Sequence, residues 1–116
     1  MGTRVALALV RDLFFRSKLD AAAKASQAEV AYASDLDGAA RRCAETTPTI
    51  VLVDLSDPAF PAVETAGTVR ARAPRARLVG FASHVDLKSL AAAREAGFEL
   101  TLSRSEFTAR LGELLR

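Results

Sequence analysis

Two carboxylates stand where apolar runs end. "TIVLVD" closes on Asp54, with Pro58 four positions later in "LSDPAFP", and "RVALALV" runs into Arg11 and Asp12. A carboxylate at the exit of a buried strand can be reactive, can hold a divalent cation, or can accept backbone N–H groups of the next segment as a cap. Asp12, directly ahead of a helical stretch, reads first as an N-cap and second as a metal ligand. The single histidine, His84, has no nucleophile to serve and reads as a solvent-facing side chain. The single cysteine, Cys43, excludes an internal disulfide and a multi-cysteine metal site. In its alanine-rich helical stretch it reads as a small buried hydrophobe. With no nucleophile–base pair and no metal-ligand spacing, the chain is not expected to be an enzyme.

The elements that must position these groups alternate along the chain. Buried-strand patterns cover residues 4–10, 28–33, 49–54, 77–82 and 98–103, and helical patterns cover 12–26, 35–47, 62–73, 84–97 and 105–116. Pro48 and Pro74 stop the second and third helices, and Gly97 falls at the natural C-cap of the fourth. Ser105 is the candidate cap of the last helix, without a full capping box. Phe15, Leu19, Ala22 and Ala23 share one face of the first helix. Its neighbour Phe14 cannot point to the same spot: the first reading is that both rings are partly buried under the loops, the second that Phe14 borders the crevice or a partner surface.

Strands buried on both faces, each followed by a helix, imply a parallel sheet between two helical layers. Right-handed crossovers then favour an α/β, flavodoxin-like, doubly wound sheet of five strands in the order 2-1-3-4-5, with five helices. In that order the chain reverses its winding between strands 1 and 3. Arg11, Asp12 and Asp54 then meet at one edge, joined by the ends of strands 4 and 5.

The 116 residues bound a single domain, 1–116. Half the residues are apolar and 26% are charged, with a net charge of +2, too mild a basicity for a dedicated nucleic-acid binder. "VRARAPRAR" places Arg70, Arg72, Arg75 and Arg77 together as a local phosphate-binding patch. It lies on a helix–strand connection with no aromatic interleaved, so nucleic acid is not an expected partner. The apolar run before Arg11 is too short for a signal-peptide core or a bilayer span, and Ala6 breaks the myristoylation pattern that Gly2 would begin. No membrane partner and a cytoplasmic location are expected.

With Asp54 in "VLVDLSDP", Pro58 four residues on, and "AAAREAGFELTLSRS" over residues 91–105, essentially the whole chain resembles the CheY-like receiver domains of two-component response regulators. The resemblance implies that Asp54 holds the position that accepts a phosphoryl group from a histidine kinase, with Mg²⁺ bound beside it. It also implies a pocket of Arg11, Asp12, Ala82, Ser83 and Arg104. The departures are specific. Arg11–Asp12 stands where the family carries two acids, so Asp12 and Asp54 are the remaining metal ligands. Ala82 stands at the hydroxyl position after strand 4, with Ser83 one residue late. Arg104 replaces the lysine and Ser105 the proline after strand 5, and Thr101 replaces the aromatic switch residue.

Putting a guanidinium where a metal ligand belongs changes the local charge by two units. Arg11 is expected to pair with Asp54 or Asp12, and Asp54 reads first as paired with Arg11 or Arg104 or as a cap of the following loop, and second as a phospho-acceptor. At 4 Å and an effective dielectric of 20 the Coulomb attraction is about 4 kcal/mol before desolvation, enough to compete with a weakly held ion. Mg²⁺ is therefore expected to bind weakly or not at all, and no other cofactor is expected. Without the hydroxyl at 82 and the ring at 101, a phosphoryl signal has little to act through. The expectation is a degenerate, stand-alone pseudo-receiver that works by protein contact, with a signalling protein or histidine kinase as partner. The family's helix 4–strand 5–helix 5 face, here Arg94, Glu95, Phe107, Arg110 and Glu113, is the candidate partner and homodimer surface. Two alternatives stay open: a competent phosphorelay receiver using Asp54, and a small-ligand or nucleotide-binding flavodoxin-like protein. The turn "VRDLF" lacks a glycine-rich phosphate cradle for the latter.

Overall fold

A computed structural model describes residues 4–116, so Gly2 and the myristoylation reading lie outside the described residues. Five strands, β1 (Val5–Leu9), β2 (Glu29–Tyr32), β3 (Ile50–Asp54), β4 (Arg77–Ala82) and β5 (Leu100–Ser103), pair in parallel in the order β2-β1-β3-β4-β5. Between them run α1 (Leu13–Ser26), α2 (Leu36–Thr46), α3 (Ala62–Arg72) and α4 (Leu87–Glu95). After β5 come α5 (Arg104–Ala109) and α6 (Leu111–Leu114), so the expected single last helix is two short ones.

Strand periodicity sorts the core into two halves. Leu7, Leu9, Val51, Val53 and Leu78 face α2, α3 and α4, where Cys43, Val69 and Ala93 meet them. Ala6, Ala8, Ile50, Leu52, Val79 and Phe81 face α1, α5 and α6, against Phe15, Leu19, Phe107 and Leu111. Cys43 is fully buried, and burial pushes its thiol pKa up, as expected of a small core hydrophobe. Both faces of the central strands are covered, which is why β3 reads as an unbroken apolar run.

Local chemistry sets the ends. Asp12, Asp35 and Asp86 cap α1, α2 and α4 through their side chains. Gly97 adopts φ 94°, and its N–H and that of Phe98 return to the carbonyls of Arg94 and Ala93, closing α4 as the sequence implied. The cap of the last helical stretch is Ser103, not Ser105. The Ser103 hydroxyl accepts from the Glu106 N–H, and Glu106 accepts from the Ser103 N–H, a complete capping box. β5 runs into α5 without a loop, so the cap falls on the strand's last residue.

Candidate functional site

Because β1 and β3 are neighbours, the loops that leave their C-terminal ends run side by side at the point where the winding reverses. Asp54, the last residue of β3, pairs in register with Phe81 and is only 6% exposed. Its Oδ1 accepts one hydrogen bond, from the Ser56 N–H at 3.1 Å. Burial pushes its pKa up. The Ser56 N–H and the charge of Arg104 pull it down, while Asp57 and Asp12 add to the rise. The Ser56 hydroxyl is also buried, with no partner among the described residues.

Arg11 does not pair with Asp54 or Asp12. Its Nε donates to Asp57 Oδ2 at 2.7 Å and its Nη2 to Asp57 Oδ1 at 2.6 Å, a bidentate fork across the two loops. The side chain of Asp57 is 10% exposed and that of Arg11 51%, so the ion pair lies at the rim with its acidic end tucked in. The Arg11 guanidinium holds the Asp57 carboxyl below its ordinary value. The difference from expectation has a local cause. Asp57 precedes Pro58, its Oδ1 also accepts from the Ala59 N–H at 2.9 Å, and the Phe60 N–H bonds its carbonyl. That turn fixes the carboxylate on the rim facing β1, while Asp54 stays inside the strand end. An acid immediately before a proline was the signal available in the sequence.

Asp12 is the N-cap it was first read as: its Oδ1 accepts from the N–H groups of Phe14 at 2.8 Å and Phe15 at 3.2 Å. Ala82 ends β4 fully buried, and the Ser83 hydroxyl accepts from the Val85 N–H at 3.4 Å, closing a small turn. Arg104 opens α5 with its guanidinium 5.8 Å from the centroid of the Phe15 ring. Thr101, half-buried in β5, accepts from Arg94 at 3.5 Å. The topology thus brings Arg11, Asp12, Asp54, Ala82, Ser83 and Arg104 to one edge, and adds Asp57. Among the described residues, no group of three or more His, Cys, Asp or Glu side chains is placed to hold a metal ion.

The expected partner face needs one correction. Arg94 and Glu95 are exposed on α4, and Arg110 pairs with Glu113 at 3.1 Å. Phe107 is fully buried, stacked on Phe81 at 4.0 Å between ring centroids, and belongs to the core. The arginine patch is also divided. Arg70 donates to the carbonyls of Ala96 and Gly97 at the end of α4, and Arg77 pairs with Glu99, leaving Arg72 and Arg75. His84 is exposed, and the two phenylalanines are not both tucked under the loops: Phe14 is 66% exposed while Phe15 is buried, because adjacent helix positions point about 100° apart. No helix among the described residues is long and apolar enough to cross a membrane.

Compared by sequence, no family model and no curated protein matches the chain. Compared by structure, it is similar to the receiver domain of a sensor histidine kinase from Pseudomonas aeruginosa PAO1 that has a magnesium ion coordinated in its active-site cleft. The TM-score is 0.81 at 16% identity, over 98% of this chain and 95% of that one. It is also similar to a response regulator from Hahella chejuensis, with a TM-score of 0.83 at 11% identity over 97% and 92% of the two chains. An orphan response regulator of H. pylori aligns with a TM-score of 0.78 at 12% identity, over 99% and 98%. At these identities the likeness is one of fold. The chain has the five-stranded receiver fold.

Proposed function

We propose that this receiver-fold domain is a signalling module that acts by contact with other proteins and takes up phosphoryl groups and Mg²⁺ poorly or not at all. One observation carries the reading: the Arg11 guanidinium is forked onto Asp57 beside Asp54. A phosphoryl group on an aspartate brings about two negative charges that need a cation and donors in place. Mg²⁺ takes near-octahedral oxygen ligands. Here backbone amides hold one oxygen of Asp12 and one of Asp54, and both Asp57 oxygens face Arg11, so the three acids offer an ion only the second oxygens of Asp12 and Asp54. That donor set fits the ion poorly.

The residues that would respond to a phosphoryl group are also altered. Ala82 offers no hydroxyl, and that of Ser83 is engaged by the Val85 N–H. Thr101 is tied to Arg94 on α4 rather than carrying a ring that could swing. Arg94, Glu95 and the Arg110–Glu113 pair remain at the surface for contact with a histidine kinase, another signalling protein or a second copy. Acetyl phosphate with Mg²⁺, followed by intact-mass and peptide mapping, tests the reading. The expected result is no phosphoryl adduct on the wild type. A stable acylphosphate on Asp54 at near-stoichiometric yield would overturn it in favour of a competent receiver.

A further inference from the structure

The exposed large apolar side chains cluster at the same sheet edge as Asp54. Leu13 and Phe14 follow β1, Val63 opens α3, and Val85 and Leu87 follow β4, each between 66% and 77% exposed. A groove of about 410 Å³ opens between the first turns of α3 and α4, and the exposed Val63 and Leu87 are the chain neighbours of its lining residues Ala62 and Lys88. Its apolar lining is Leu55, Pro58, Pro61, Ala62 and Ala92, and two charged residues join it, Asp57 and Lys88.

The charges in this groove do not cancel. Asp57 is already neutralised by Arg11, so its carboxylate gives Lys88 no free counter-charge. Lys88 has no ion-pair partner among the described residues. It also stands in the first turn of α4, where the helix dipole disfavours a cation; the nearest acid on that helix, the N-cap Asp86, is engaged by the Ser89 N–H and is not part of the lining. Across the groove, Pro61 precedes α3 without providing a side-chain cap, so the first N–H groups of that helix also favour an acceptor. Glu64, in the first turn of α3, is not part of the lining. A second copy of this chain would bring another net positive charge.

We infer that the α3–α4 groove is a docking site for a short acidic segment of a partner protein, one that sets a carboxylate beside an apolar side chain. The apolar group lies on Pro58, Pro61 and Ala92, with Val63 and Leu87 next in the chain to the lining, and the carboxylate meets Lys88. The Arg11–Asp57 ion pair then has a second consequence: by neutralising Asp57 it lets the groove accept acid. The inference rests on the reading of the domain as one that works by protein contact.

The test is amide shift mapping of the ¹⁵N-labelled protein with an acetylated, amidated peptide that alternates leucine with aspartate and glutamate. A control peptide carries Asn and Gln in place of the acids. Saturable shifts concentrated at residues 62–64 and 88–92 are expected, with the control much weaker. Lys88→Glu should weaken binding at least about tenfold, a loss of about 1.4 kcal/mol, and Leu87→Ser should weaken it as well. Both side chains are exposed, so folding is not at stake. Arg11→Ala, which leaves Asp57 charged in the groove, should also weaken binding. Absence of saturable shifts, equal binding of the control, or shifts centred on the α4–β5–α5 face would overturn the groove. In the last case the protein-contact reading would survive without it. Phosphorylation of Asp54 would instead remove the inert reading and leave the groove standing.

Discussion

At Asp54, burial in the end of β3 strips the ionised carboxylate of hydration that one Ser56 N–H only partly replaces. Its folded pKa therefore lies above the ordinary value of 3.8, whereas that of Asp57 lies below it because of Arg11. The two acids then act on stability with opposite sign. The contribution of Asp54 is complete below its unfolded pKa and is lost as pH rises through the raised folded one. The contribution of Asp57 is complete above its unfolded pKa and is lost as pH falls through the depressed folded one. Asp54→Asn should raise the urea midpoint at about pH 7 and lose that advantage towards about pH 3. Asp57→Asn should lower the midpoint at neutral pH, with the deficit shrinking on acidification. A pH series of urea melts on the two variants checks both slopes, and parallel slopes would contradict the assignment.

Among the elements, the last helical stretch departs most from its sequence reading. Ser103 and Ser105 flank Arg104, and either serine could start a helix. The choice depends on β5 leading directly into α5, which periodicity does not show. The same short segment left Phe107 ambiguous. In two short helical pieces the apolar spacing is too brief to define a face, and only the stacked Phe81 ring reveals which side is core. Phe107→Ala should cost about 3–5 kcal/mol and Ser103→Ala about 1 kcal/mol, both measured by denaturant melts. An effect of Phe107→Ala near zero would return that residue to the surface. Where a signal was purely local, as with Asp12 ahead of α1 or Gly97 after α4, the sequence was sufficient, because capping and a left-handed turn restrict residue type by themselves.

For the whole molecule, alternation of buried strands and helices with right-handed crossovers left few topologies, and five units in this length favoured the order observed. The edge where Arg11, Asp12 and Asp54 meet was therefore legible before any distance was known. The pairing within that edge was not. Asp12, Asp54 and Asp57 are the candidate partners of the Arg11 guanidinium, and the winner is set by the turn from Asp57 to Phe60. Electrostatic pattern follows from that choice: one acid buried and unpaired, one capping, one neutralised, with an unpartnered lysine across the groove.

The account turns on whether that clamp displaces a divalent ion. Amide shift mapping of the β1–α1 and β3–α3 loops during a Mg²⁺ titration, on the wild type and on Arg11→Asp, measures this directly. Wild-type shifts should fail to saturate at about 1 mM, weaker than about 4 kcal/mol of binding, while Arg11→Asp should bind detectably tighter. Saturation of the wild type well below that concentration, with Asp54 and Asp57 shifting together, would contradict it.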